Sequence, residues 1–288
     1  HYPLRRQRQM CIRDRAGAST VDTVGEYHEI VTGVEKDDTA AHLHGTYGLG
    51  PRVPMYVLSP WTKGGWVNSE VFDHTSVLRF VERRFGVAET NISPWRRAIC
   101  GDLTSIFDFA TPDDADRLRG LPATADRAAQ AAALPGTITP PAPDKPGLAR
   151  QQAGTRPSRA LPYALSMQVR ADGDGIALRF DNTGTAGAVL HVYDRLHLEA
   201  GPRRYTVEAG KQLEGVWPTT ADQGRYDLWV LGPNGFHRHV AGRQQAGAAP
   251  LTVEALCEAA GPRLRLTLRN PGGQARVVRI QALSLIHI

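Results

Sequence analysis

The sequence predicts an α/β segment followed by all-β sandwich modules. Three observations carry this: a strand, loop and helix pattern over 53–86, a proline- and glycine-rich stretch over 137–162, and short alternating strands at about ten-residue spacing beyond it. At roughly 150 residues per domain, 288 residues predict about two domains, enough to bury a real core.

The first element is 53-VPMYVLSPW-61, a continuous apolar run between turn signals, which predicts a strand buried on both faces of a parallel sheet. The loop 59-SPWTKGGWVNSEVF-72 leaves its carboxyl end, where open α/β sheets place their ligands. A helix follows, capped by Asp73, Thr75 or Ser76, with Val77, Phe80, Val81 and Phe85 at 3.6-residue spacing and Gly86 as its stop. Ser93-Pro94 starts a second helix that carries Trp95 and Ile99. The run 114–136 reads as a peripheral helix, and 137–162 reads as a linker.

Downstream, 175-GIALRFDN-182, 187-GAVLHVYD-194, 203-RRYTVEAG-210 and 225-RYDLWVLGPNGFHRHV-240 predict a sandwich. Trp217 and Trp229 are expected in its core, with Tyr226, Leu228 and Val230 on the other face of their strand. An offset of 88 residues lays 176-IALRFDNTG-184 on 264-LRLTLRNPG-272, Val189 on Val277, Val192 on Ile280 and Gly173 on Gly261, which predicts a second copy of the module. The expected boundaries are 16–135 for the α/β part, 136–159 for the linker, 160–245 for the first β module and 246–288 for a truncated second one.

The net charge of +5 is concentrated at the start. Residues 1–15 hold five arginines (Arg5, Arg6, Arg8, Arg13, Arg15) against Asp14, which leaves +1 for the remainder. A phosphate-tracking surface needs clustered cations on one face, so nucleic acid is not an expected partner. Residues 1–15 read as a non-native tail, because no apolar periodicity links them to a fold and no signal-peptide pattern occurs. No apolar run approaches the roughly 18 residues of a membrane span. Cys11, Cys100 and Cys257 lie far apart without CxxC or metal spacing.

The candidate chemistry gathers around the first loop. Asp73, His74 and Thr75 are expected at a helix N-terminus, whose positive dipole end favours anions such as phosphate; an ordinary cap explains the same residues. Trp61 and Trp66 flank Gly64-Gly65 and can offer a face to a quaternary ammonium or anchor the loop internally. The pairs 42-HLH-44 and 237-HRH-239 each put two imidazoles on one strand face, but a third metal ligand is missing near both, so they read as exposed strand histidines. The 48-GLG-50 stretch precedes a strand and is the wrong way round for a dinucleotide loop.

The run 48-GLGPRVPMYVLSPWTKGGWVNSEVFDHTSVLRFVERRFGV-87 with 92-ISPWRRAICGDLTSIFDF-109 and 19-STVDTVGEYH-28 resembles the end of the catalytic domain of bacterial phosphocholine-specific phospholipases C, a phosphoesterase family related to acid and alkaline phosphatases. The stretches 159-RALPYALSMQVRADGDG-175 and 226-YDLWVLGPNGFHRHVAG-242 resemble its tandem C-terminal module. The resemblance implies a fragment of a bacterial, secreted or periplasmic enzyme that hydrolyses the phosphodiester of phosphatidylcholine or sphingomyelin and releases phosphocholine. It implies a phospholipid or membrane-surface partner met peripherally, and a divalent metal in the full-length enzyme with none bound by this fragment. The family's acidic metal-binding segments have no counterpart here; 35-EKDD-38 does not match them. Asp73, His74 and Thr75 are then expected to line or support the site, Trp66 and Trp61 to meet substrate, and the fragment to be inactive alone. The rivals are an acid-phosphatase-like phosphomonoesterase and a lipid- or polysaccharide-binding β-sandwich.

Overall fold

In a computed structural model the described residues are 18–23, 26–28, 45–46, 49–50, 53–62, 64–111, 122–136, 141–142, 144–145, 147, 153–244, 252–258, 263–270, 272, 275 and 277–280. The tail 1–15, the pair 42-HLH-44 and 35-EKDD-38 lie outside them. The chain divides into two compact units, His1–Pro54 with Asn68–Ser105 and Ala160–Ile288, and Met55–Val67 with Ile106–Arg159.

In the first unit, β1 (Tyr27–His28) pairs antiparallel with β2 (Gly45–Thr46). Helix α1 (His74–Phe85) follows, closed by Gly86 at φ 70° in the left-handed region that favours glycine. Helix α2 (Pro94–Ile99) starts from Ser93, whose side chain accepts from the Arg96 N–H, with Pro94 at its first position. Trp95 and Ile99, which the sequence places on this helix, are buried. The apolar face of α1 is not: Val77, Val81 and Phe85 are exposed, and Ser76 is its buried residue. Amphipathic spacing marks a face able to be covered, and of this one Phe80 is half-buried while the other three are open.

Beyond the helices the structure is antiparallel β, which gives the predicted order of classes. The strands are β3 (Leu165–Asp172), β4 (Gly175–Asn182), β5 (Ala188–Asp194), β6 (Arg203–Val207), β7 (Gln212–Pro218), β8 (Arg225–Leu231), β9 (His237–Arg243), β10 (Thr252–Glu258) and β11 (Arg263–Arg269). They form a five-stranded sheet, β11-β10-β3-β4-β7, and a four-stranded sheet, β6-β5-β8-β9. Met167, Ile176, Leu178, Phe180 and Trp217 from the first meet Leu190, Val192, Tyr205, Leu228 and Val230 from the second in one core. The Phe180 and Tyr205 rings, one from each sheet, lie 5.0 Å apart.

Trp217 is buried as expected, but Trp229 is 39% exposed. With Leu228 and Val230 on the core face, the two-residue period of a strand turns Trp229 outward. There it meets His237 and His239 edge-on at 5.9 and 6.3 Å, on a solvent-exposed face.

The hairpin β10–β11 repeats β3–β4 and joins its sheet through Val253↔Val169 and Glu254↔Gln168. Asn182 ends β4 and Asn270 directly follows β11, and they accept from the Gly184 and Gly272 N–H groups at 3.0 and 3.2 Å, so the 88-residue register holds at this turn. The first strand is shifted by two places, since Leu165 pairs with Asn182 whereas Val253 pairs with Leu268. An even shift keeps every residue on its own face. Residues 277–280, where the register places a third strand, are not in a strand, and Val277 and Ile280 are exposed.

The second unit holds α3 (Ala125–Ala132), exposed throughout, within the predicted run 114–136. Val67 and Ser158 form a parallel bridge, with the Arg159 N–H donating to the Val67 carbonyl at 2.9 Å. The run 53–61 is not a strand, contrary to expectation; Tyr56 and Leu58 are exposed. A central strand needs partners on both edges, which the described residues do not supply, and Pro54 and Pro60 each lack an amide donor.

Candidate functional site: the capped turn before the first helix

The segment before α1 is fixed residue by residue. Asn68 accepts from the Glu70 N–H at 2.9 Å and donates to Ser105 at 3.0 Å, and the Val71 N–H donates to the Tyr163 hydroxyl at 2.8 Å. Asp73 is then the cap. Its Oδ1 accepts from the Thr75 N–H at 2.9 Å, the Thr75 hydroxyl at 2.6 Å and the Ser76 N–H at 3.2 Å, while Ser76 Oγ accepts from the Asp73 N–H at 3.1 Å. This reciprocal capping box satisfies the amides that a helix start leaves unpaired.

The other Asp73 oxygen receives Arg96 Nη1 at 2.6 Å. Arg96 also donates through Nε and Nη2 to both oxygens of Glu26, each at 2.9 Å, and Ser93 Oγ donates to Glu26 at 2.7 Å. The fork geometry of a guanidinium suits such a two-pronged carboxylate contact. Burial raises the Asp73 pKa, but the Thr75 and Arg96 hydrogen bonds and the Arg96 charge outweigh it, leaving the carboxyl below its ordinary 3.8. Burial likewise opposes the charge on Arg96, and its bonds to Glu26 and Asp73 more than compensate. Cys100, beside this cluster, has its thiol pushed up to about 12 by burial and then by Asp73, so it is held as an unreactive thiol.

His74 occupies the first helical position with its imidazole exposed, and it takes no hydrogen bond from the described residues. Asp73 and Thr75 are therefore committed to the cap, and His74 is the group of the three left free to meet a ligand.

Trp61 and Trp66 belong to the second unit. Gly64 and Gly65 both take positive φ, 109° and 66°, and a Cβ on Gly64 would sit 3.0 Å from Trp66 Nε1, so the glycine pair makes the turn feasible. Neither tryptophan is a buried anchor. The Arg159 guanidinium lies 4.4 Å from the Trp66 ring centre. Trp61 packs against Phe109 at 5.8 Å, and Phe109 stacks on Phe107 at 5.3 Å.

On the outer face of the sandwich, His239 Nε2 lies 2.7 Å from Asp227, which also faces Arg195 at 3.3 Å. Among the described residues no three of His, Cys, Asp and Glu converge in a way that could hold a metal ion. The Arg96–Glu26 connection escaped the sequence reading. Its two ends lie 70 residues apart, and the one visible hint was that Arg96 follows the Ser93-Pro94 helix start.

Comparison with known proteins places the two halves. Residues 19–88 match the phosphoesterase family, and residues 157–243 match the C-terminal domain of bacterial phospholipase C. The chain is 50% identical over 227 residues to a non-hemolytic phospholipase C of Pseudomonas aeruginosa, covering 77% of this chain and 31% of that protein. It is 47% identical over 226 residues to a non-hemolytic phospholipase C of Burkholderia pseudomallei, covering 76% and 31%. A hemolytic phospholipase C of Pseudomonas aeruginosa is 39% identical over 293 residues, covering 90% and 38%. The chain thus spans roughly a third of the length of these curated relatives. Residues 19–88 are thus similar to the phosphoesterase family and residues 157–243 to the C-terminal domain of bacterial phospholipase C.

Proposed function

We propose that this chain is the C-terminal part of a phospholipase C that hydrolyses the phosphodiester of phosphatidylcholine or sphingomyelin and releases phosphocholine. The observation that carries the reading is 50% identity to a phospholipase C over an aligned stretch too long to fit within either matched domain. The β module argues against an acid-phosphatase-like phosphomonoesterase, because it matches a phospholipase C domain. In this reading His74 lines the site at a helix N-terminus, where backbone N–H groups and the helix dipole favour a phosphoryl group, and Asp73 and Thr75 hold it there. Trp61 is the better candidate for the choline cation, since Arg159 already lies over the Trp66 ring.

The described residues do not fit a divalent metal. The two most enclosed carboxylates, Glu26 and Asp73, are committed to Arg96. A metal used by the whole enzyme takes its ligands elsewhere, and this chain alone does not turn over substrate. The enzyme acts outside the cytoplasm and meets lipid peripherally. In support, its relatives are bacterial phospholipases C, and among the described residues no helix is long and apolar enough to cross a membrane.

The test is a chimera in which residues 18–280 replace the matching stretch of the Pseudomonas aeruginosa non-hemolytic enzyme. It should release phosphocholine from phosphatidylcholine vesicles. Trp61→Ala should raise KM about fivefold for choline esters, the equivalent of about 1 kcal/mol of cation–aromatic attraction, and leave ethanolamine esters unchanged. Equal losses for both head groups would remove the choline role, and a chimera without turnover would contradict the proposal.

A further inference from the structure

Helix α2, which follows the site in the chain, packs against the β module within the first unit. The module reaches α2 at three places. The Trp95 indole N–H donates to the Thr206 hydroxyl at 3.0 Å in a buried bond, and Val189 packs against Trp95, Ile99 and Cys100. The Gly187 N–H donates at 2.9 Å to the Ala98 carbonyl, one of those a helix end leaves without an internal partner. Gly187 has no room for a side chain: a Cβ there would lie 2.7 Å from the Ala98 carbonyl oxygen and 2.9 Å from Ile99 Cδ1. Residues 18–20 run beside β6, with the Thr20 N–H on the Thr206 carbonyl at 3.0 Å and the Thr206 N–H on the Ala18 carbonyl at 2.9 Å.

Helix α2 passes these contacts on to the capped turn. Arg96 holds Asp73 directly, and the Gly101 N–H donates to the Val71 carbonyl at 2.9 Å. Arg79 of α1 donates to the Cys100 carbonyl. The module also touches the turn's approach itself, through the Tyr163 hydroxyl on the Val71 N–H, two residues before the cap. Two routes, one through α2 and one direct, therefore converge on Asp73, His74 and Thr75.

We propose that Tyr163, Gly187 and Thr206 are positioning residues for the Asp73–His74–Thr75 turn, so that the phospholipase C C-terminal domain is a built-in support of the phosphoesterase site. This rests on the reading that His74 lines that site. It differs from an appended module that binds lipid or polysaccharide, which would touch the helices little and would leave them unchanged when its contacts are cut.

The test has two arms. In the whole chain, amide hydrogen exchange at Val71, Thr75 and Ser76 is followed by NMR. Tyr163→Phe should speed exchange at Val71 about fivefold, the loss of one hydrogen bond. Gly187→Ala, a wedge, and Thr206→Val, which keeps the shape but removes the hydroxyl, should speed exchange at Thr75 and Ser76 by a similar factor. Leu264→Ala, an exposed change in β11, should leave all three amides as they were. Unchanged exchange at Thr75 and Ser76 in both Gly187→Ala and Thr206→Val would overturn the proposal. In the chimera, the same two variants should lower kcat at least threefold with KM unchanged, as expected when a reacting group is displaced while substrate contacts remain. A loss confined to KM would overturn it instead. A chimera without turnover would contradict the phospholipase reading, and the exchange data would still decide the positioning.

Discussion

The two hairpins of the 88-residue repeat have the same alternating apolar residues and opposite fates. In β4, Ile176, Leu178 and Phe180 are 4%, 0% and 0% exposed; in β11, Leu264, Leu266 and Leu268 are 60%, 38% and 36% exposed. The difference is the opposing layer: β5, β6 and β8 lie across from β4, and among the described residues nothing lies across from β11. The two helices repeat the contrast. Six-residue α2 buries Trp95 and Ile99 against the sandwich, while twelve-residue α1 is held at its capped end and leaves Val77, Val81 and Phe85 in solvent. Periodicity decides which face is apolar. Whether that face contributes stability depends on what covers it.

The sharpest way to break this comparison is to cut matching residues. Phe180→Ala should cost about 3–5 kcal/mol in denaturant unfolding of the whole chain, while Leu268→Ala at the equivalent position should cost less than about 1 kcal/mol. Similar losses would mean that β11 is covered in solution.

The paired asparagines come next. Asn182 is buried, and besides its turn it donates to the Ala186 and Val207 carbonyls at 2.9 and 3.0 Å. Asn182→Ala should cost about 2–3 kcal/mol by stranding those carbonyls, and Asn270→Ala only a few tenths.

The smallest effects are electrostatic. The Asp73 carboxyl has a lowered folded pKa, so its contribution is fully present above 3.8 and fades as pH falls through the folded value. Asp73→Asn keeps a cap but should flatten that part of the acid-unfolding curve. Glu82, whose hydrogen bond from Arg97 draws its pKa from 4.5 to about 2, loses its contribution across that window. Its partner Arg97 is more open than Arg96, 35% against 22%, so Glu82 should yield the weaker pH dependence of the two. A larger acid effect from Glu82→Gln than from Asp73→Asn would reverse the ranking of enclosed over open sites.

The sequence shows the parts whose information is local. Strand β4 has the expected bounds, Ser93-Pro94 starts α2, and Gly86 ends α1 in the left-handed region. Asp73 was one of three candidate caps, and the reciprocal bonds with Ser76 decide between them. Trp229 was legible and misread, because a strand that buries Leu228 and Val230 must turn Trp229 outward. Strand β7 was legible only through Trp217, without bounds: 212-QLEGVWP-218 carries a glycine and a proline, and that glycine lies where a Cβ would meet the Tyr205 ring of the opposite sheet. The run 53–61 failed as a strand because its apolar residues say nothing about neighbours. The Glu26–Arg96–Asp73 link was hidden for the same reason, since only folding brings position 26 to position 96.

Helix α2, which lies between the two matched regions, and the phospholipase C C-terminal domain share one core. Native-state hydrogen exchange of the whole chain in increasing denaturant tests this most directly, read at the α2 amides and at β5 and β8. The shared core predicts that α2 opens with the same free energy and the same denaturant slope as those strands, because Trp95 and Ile99 cannot leave without exposing Val189 and stranding Thr206. Opening of α2 at a free energy about 2 kcal/mol or more lower, with the strands still protected, would contradict it.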